Sequence, residues 1–262
     1  MTQPSTLSIM RNRAAVAEEL RRLLPRMEGL RTTKPLPFGL PAIDHHLPQG
    51  GLACGALHEI VPDEGATPAA FGFMAALLAR VTSPLPLLHK IFLVLPAHGL
   101  RDYGRPHGHG LRAFGLDSER VILVETTHRK DTLWAMEEAL RSRAPAAVAG
   151  IIDKLDLKFS QRLHLAAADC GLPLFLLRPA EILESSAAAT RWRVGAAPAA
   201  RDRFGLITRA RWRLMLERCR NGRAGEWMVE YDHVAHRFSL AAALADPAFP
   251  RGAGEKSLKH AC

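Results

Sequence analysis

The chain holds 262 residues, 48% of them hydrophobic and 23% charged, with a formal net charge of +9. That balance suits one full-sized globular domain with short extensions; it excludes a disordered or collagen-like chain, and the scattered Cys54, Cys170, Cys219 and Cys262 exclude a disulfide framework or CxxC zinc site. No uncharged apolar run reaches the ~18 residues that span a bilayer, and the first twenty residues carry Arg11, Arg13, Glu18 and Glu19 without an apolar signal core, so a cytoplasmic protein with no membrane partner is expected.

In chain order, Val16, Leu20, Leu23, Leu24 and Met27 recur at i, i+4, i+7, i+8 and i+11, one face of a helix that Pro25 interrupts. This predicts an amphipathic helical segment over residues 1–34, its apolar face either offered to a partner or packed back on the chain's own core, before an extended linker at Lys34-Pro35-Leu36-Pro37. Residues 35–245 then read as one α/β core. Apolar runs at 56–61, 91–95, 121–124, 148–152 and 173–177 alternate with helical stretches at 68–80, around 110–114, 131–141 and 160–170. Short continuous apolar strands between helices predict a parallel sheet covered on both faces. After Pro179 the period changes to two, in Arg191–Val194, Arg211–Glu217, Glu226–Tyr231 and His236–Leu240, with turn residues at Asn221-Gly222 and Asp232-His233. An antiparallel meander with one solvated face follows from that alternation. Residues 246–262, with Pro247, Pro250, Gly252 and Gly254, read as a flexible tail.

The charge is concentrated. Ten arginines stand between Arg191 and Arg223 against Asp202 and Glu217, a net of +8, and the first 34 residues add seven cations against three glutamates, a net of +4. On a strand, neighbours point to opposite faces, so Trp192 and Trp212 are expected in the core. Arg191, Arg193, Arg211, Arg213, Arg218, Arg220 and Arg223 are then expected to share an exposed face. Guanidinium forks suit phosphate or carboxylate, so this face is a candidate for nucleic acid or an acidic partner. An arginine-rich surface without a partner is the competing reading, and the tryptophans stacking on bases is another.

The segment Leu36-Pro37-Phe38-Gly39-Leu40-Pro41-Ala42-Ile43-Asp44, followed by Gly50-Gly51-Leu52, Gly55 and Glu59-Ile60, resembles the stretch that leads into the phosphate-binding strand of RecA-family ATPases. Phe114-Gly115-Leu116-Asp117 fits as well, and Arg218 and Arg220 stand where the recombinase carries two lysines near its nucleotide-facing subunit interface. The resemblance, over about residues 36–240, implies a RecA-like core. Its phosphate loop is degenerate. GxxxxGK[ST] supplies backbone N–H groups, a lysine and a magnesium-binding hydroxyl. Here the segment reads Pro62, Asp63, Glu64, Gly65, Ala66, Thr67, Pro68, Ala69: Pro62 replaces the first glycine, Thr67 the second, Pro68 the lysine and Ala69 the hydroxyl, while Asp63 and Glu64 repel phosphate. Leu95-Pro96-Ala97 replaces the acid that activates water. Asp153 is left as a match to the magnesium-organising aspartate, with a helix cap as its alternative role. ATP hydrolysis is not expected; no catalytic residue, nucleotide cofactor or metal is assigned. The segments after Asp153 and Pro179 are too short and too acidic to grip DNA as recombinase loops do.

With the opening LP.G…D..LP.GGL..GALHEI and the run Leu155-Asp156-Leu157…Leu176-Leu177-Arg178-Pro179, the chain looks like the ImuA family of bacterial mutagenesis proteins, which is SulA-related. That resemblance implies a damage-inducible, non-catalytic partner of ImuB, a Y-family polymerase homologue, and of an error-prone replicative-type polymerase in translesion synthesis. RecA is a further expected contact, and the arginine-rich face adds DNA as another. A SulA-like inhibitor of cell division and a divergent DNA-dependent ATPase are the alternatives.

Overall fold

The computed structural model describes residues 34–97, 103–181, 184–201 and 203–241. The expected partner helix with Val16, Leu20, Leu23, Leu24 and Met27, and the tail 246–262, lie outside these residues. Chain entry is fixed by a short antiparallel bridge between Leu36 and Leu52 and by Asp44, in the one-turn helix α1 (Pro41–Asp44). The Asp44 carboxylate accepts the N–H groups of Phe38 (2.7 Å) and Leu40 (3.1 Å), which pins the linker over the core.

The elements then alternate: β1 (Leu57–Pro62), α2 (Thr67–Thr82), β2 (Ile91–Pro96), α3 (Gly108–Ala113), β3 (Val121–Thr126), α4 (Arg129–Ser142), β4 (Ala147–Ile151), α5 (Leu157–Cys170) and β5 (Leu174–Leu177). Four strands without intervening helices complete the order: β6 (Thr190–Arg201), β7 (Ile207–Cys219), β8 (Gly225–Asp232) and β9 (Arg237–Leu240). All nine form one sheet in the order β3-β2-β4-β5-β1-β6-β7-β8-β9. Pairing is parallel from β3 through to β6 and antiparallel from β6 to β9. The meander is therefore an extension of the parallel sheet, joined to it because β6 runs beside β1.

Two apolar layers cover the sheet. On one face α2, apolar nearly all round, packs with Phe38 and with Trp192, Trp212, Tyr231 and Phe238; these rings contact one another at centroid distances of 5.1–6.1 Å. On the other face α4 and α5 bury Leu133, Met136, Leu140 and Leu163 against Leu57, Val94, Val148 and Leu174. Gly150 on β4 lets that layer close, since a Cβ there would lie 2.3 Å from Met136 Sδ.

One strand departs from expectation. Val121–Val124 reads as a buried run, yet β3 is the sheet edge and leaves Ile122 and Leu123 about 40% exposed, at 40% and 41%. An apolar run reports a hydrophobic surrounding and carries no information on whether a second strand flanks it.

Candidate functional site

The degenerate phosphate loop is a tight turn. β1 ends at Pro62 and α2 begins at Thr67, so only 63–66 connect them. Ala66 N–H donates to Asp63 O at 2.9 Å, Gly65 takes φ +72°, and Asp63 N–H donates to Val194 O of β6 at 2.9 Å. Pro68 has no N–H and sits in the first helical turn. Two of the donors that could face a phosphate, Asp63 N–H and Ala66 N–H, are thus consumed by the sheet and the turn, and a third is missing at Pro68. The Asp63 carboxylate is itself engaged. Arg213 Nη2 donates to its Oδ2 at 2.6 Å, and Gly195 permits the approach, because a Cβ there would stand 2.2 Å from that oxygen. The same hydrogen bond pushes the Arg213 pKa up from its ordinary value.

Asp153 follows β4. With Lys154, Pro96, Thr126, Thr127 and His128 it lines a cleft of about 440 Å³ at the carboxyl ends of β2, β3 and β4, which residues 62–69 do not line. It does not cap α5 either: Asp156 does so, its Oδ1 accepting Phe159 N–H at 2.9 Å.

The arginines of the meander point where the alternation places them, opposite the buried Trp192 (0% exposed) and Trp212 (4%). Burial removes both indoles from any surface, so neither can stack on a base. The arginine face is not a continuous basic patch, however. Arg211 is bound to Glu230 (2.6 Å) and Arg213 to Asp63 and, at 3.6 Å, Glu226. Arg193 is bound to Glu217. Arg191 reaches inward, its Nε and Nη2 on Glu59 Oε2 at 2.9 and 2.8 Å. Beside Arg191, at the end of β7, Arg218 Nη1 donates to Ser186 O (2.7 Å) and beyond it Arg220 Nη2 to Ala187 O (3.3 Å), while Arg223 is exposed. Along the β6–β7 pair the arginines therefore run from Arg211 and Arg213 in mid-strand to Arg191 beside Arg218, and four of the seven are neutralised by carboxylates.

Sequence reading missed the centre of this network. Glu59 and Arg178 are both fully buried and face one another at 3.6 Å, with Ser186 Oγ donating to Glu59 at 2.9 Å and Arg178 Nη2 to Glu184 at 3.1 Å. A glutamate inside the apolar run of β1 was the available signal. The cluster ties the segment 184–191 to β1 and so sets where β6 joins the sheet. On the other face His58 is held neutral. Trp192 Nε1–H donates to Thr190 Oγ1 (3.0 Å), and the Thr190 hydroxyl lies 2.8 Å from His58 Nδ1. His58 Nε2 lies 2.8 Å from Ala53 O, a partner that can only accept, which assigns the proton to Nε2. Burial pushes its pKa down from 6.5 to about 4. No group of three or more metal-ligating side chains occurs among the described residues, and no described helix is long and apolar enough to cross a membrane.

No family profile matches the chain. It is similar to the protein named Protein ImuA in two strains of Caulobacter vibrioides, 35% identical in each over 239 residues, which is 83% of this chain and 93% of the relative. At that identity and coverage the chain belongs to the ImuA family.

Proposed function

We propose that the chain is a non-catalytic, RecA-like accessory protein of SOS-induced mutagenic translesion synthesis, which recruits or stabilises ImuB and an error-prone polymerase. Membership of the ImuA family supports the setting. A central β1 flanked by parallel β5 and β6, with an antiparallel extension beyond, supports the RecA-like core. The observation that supports the non-catalytic part is the segment 62–69, which has Pro68 and Ala69 where a phosphate loop carries its lysine and hydroxyl and whose Asp63 carboxylate is bound by Arg213. Fold and site are separable, so a core built to present surfaces can persist after its chemistry is lost.

Two measurements test this. Titration calorimetry of the full chain with ATP and magnesium is expected to give no saturable heat; micromolar binding abolished by Thr67→Val or Asp153→Asn would establish an ATPase-type site instead. Co-expression with the ImuB encoded in the same genome is expected to yield a complex that survives gel filtration. Failure to form it, with inhibition of the division GTPase by the purified chain, would replace the reading with the division-inhibitor one.

A further inference from the structure

β6 and β7 outrun their neighbours. The last residue of β6 paired with β1 is Val194, opposite Pro62, and the last of β7 paired with β8 is Ala210, opposite Tyr231. The two strands nevertheless continue together to the pair Arg201↔Ile207. At about 3.3 Å per residue, β6 runs on some 20 Å beyond β1. Its end is a two-stranded ribbon beyond the carboxyl edge of the parallel strands, bent by register shifts on both sides of Ala200.

The end of the ribbon is built unlike the rest of the surface. Phe204, Leu206 and Ile207 are 72%, 65% and 66% exposed. Between residues 198 and 209 the charges are Arg201, Arg203 and Arg209 against Asp202 alone. Arg201 and Arg203 are exposed. Arg201 Nη1 donates to Gly205 O at 2.7 Å, which holds the turn closed, and the Arg203 guanidinium lies 4.7 Å over the Phe204 ring. Arg209 shares Glu230 and Asp232, both at 3.4 Å, and so adds less.

We infer that this ribbon tip is a DNA-binding arm: Arg201 and Arg203 engage phosphates while Phe204, with Leu206 and Ile207, packs on or between bases. The ligand must offer closely spaced anions and flat apolar faces within a few ångströms of each other, which is the chemistry of nucleic acid. A two-stranded ribbon has the width to enter a groove, and an apolar side chain at its end can wedge a base step. The stacked Arg203–Phe204 pair is already arranged for both contacts. The site is separate from the carboxylate-paired arginines nearer the core, and it does not depend on the ImuB reading.

The test is fluorescence anisotropy of the full chain with a labelled 25-base single strand and a 25-bp duplex at 50 and 200 mM salt. The wild-type chain is expected to bind at least one of them, more weakly at high salt. Arg201→Ala/Arg203→Ala is expected to weaken binding about tenfold or more and to reduce the log–log salt slope by about 2. Phe204→Ala is expected to weaken it about tenfold with the slope unchanged. Because Arg201 also holds the turn, Arg203→Ala alone serves as the second variant and is expected to remove about one unit of slope. No binding by the wild-type chain, or affinities of all three variants within twofold of it, overturns the arm. So does a loss of ImuB capture by these variants with DNA affinity retained.

Discussion

Glu59 shows how much of this protein rests on single buried charges. Its carboxylate accepts from Ser186 and Arg191 and faces the guanidinium of Arg178, which is itself without solvent. Replacing one partner of a buried ion cluster leaves the others uncompensated, which costs about 3–5 kcal/mol. Glu59→Gln is therefore expected to lower the urea midpoint by that equivalent, and a loss below 1 kcal/mol would show that the cluster is not structural. His58 makes the complementary point about pH. Its folded pKa of about 4 lies below the 6.5 of a free ring, so the unfolded chain takes up the proton first. The stability held by the neutral ring is complete above pH 6.5 and declines as pH falls towards about 4, by roughly 3 kcal/mol in all. Denaturation series at pH 7, 6 and 5 should show that slope in the wild-type chain and a flatter one in His58→Gln; equal slopes would assign the acid sensitivity elsewhere.

At the level of elements, helix–sheet contact and sheet edge respond to opposite kinds of substitution. Gly150→Ala drives a methyl into Met136, an overpacked contact expected to cost about 1–3 kcal/mol, measured by thermal melting. Ile122→Lys on the open edge of β3 is expected to shift stability by no more than about 0.5 kcal/mol while suppressing aggregation on heating, since a lysine guards an unpaired strand; unchanged light scattering would mean that the edge is not the site of self-association. These elements were legible in the sequence to different degrees. The parallel strands and α2 stand out because burial on both sides demands unbroken apolar runs. The length of β6 does not, because Gly195-Ala196-Ala197-Pro198-Ala199-Ala200 carries no alternation to read. Nor do the partners of the arginines: Asp63 meets Arg213 across 150 residues and Glu59 meets Arg191 across 132, and no local pattern encodes a contact of that span.

For the whole molecule, the excess of positive charge loses its first meaning once the pairs are drawn. Four of the ten arginines at 191–223 are balanced by Asp63, Glu59, Glu217 and Glu230, and among the described residues of that stretch Arg201 and Arg203 at the ribbon tip, with Arg218 and Arg223, are exposed. The position of β1 has a different kind of consequence, one of timing. It is the fifth of nine strands across the sheet although it is the first to be synthesised, and His58 bonds to Thr190, 132 residues later. At about 5–20 residues per second the ribosome takes on the order of ten seconds to deliver that partner. Throughout that interval α2, ten of whose sixteen residues end up buried, has neither its aromatic layer nor a completed sheet to cover it. A nascent chain stopped at residue 189 is thus expected to bind chaperone and to be insoluble without it, whereas one stopped at residue 241 escapes; the long wait of its first strand makes this protein a client of the translation machinery before it can serve any partner of its own.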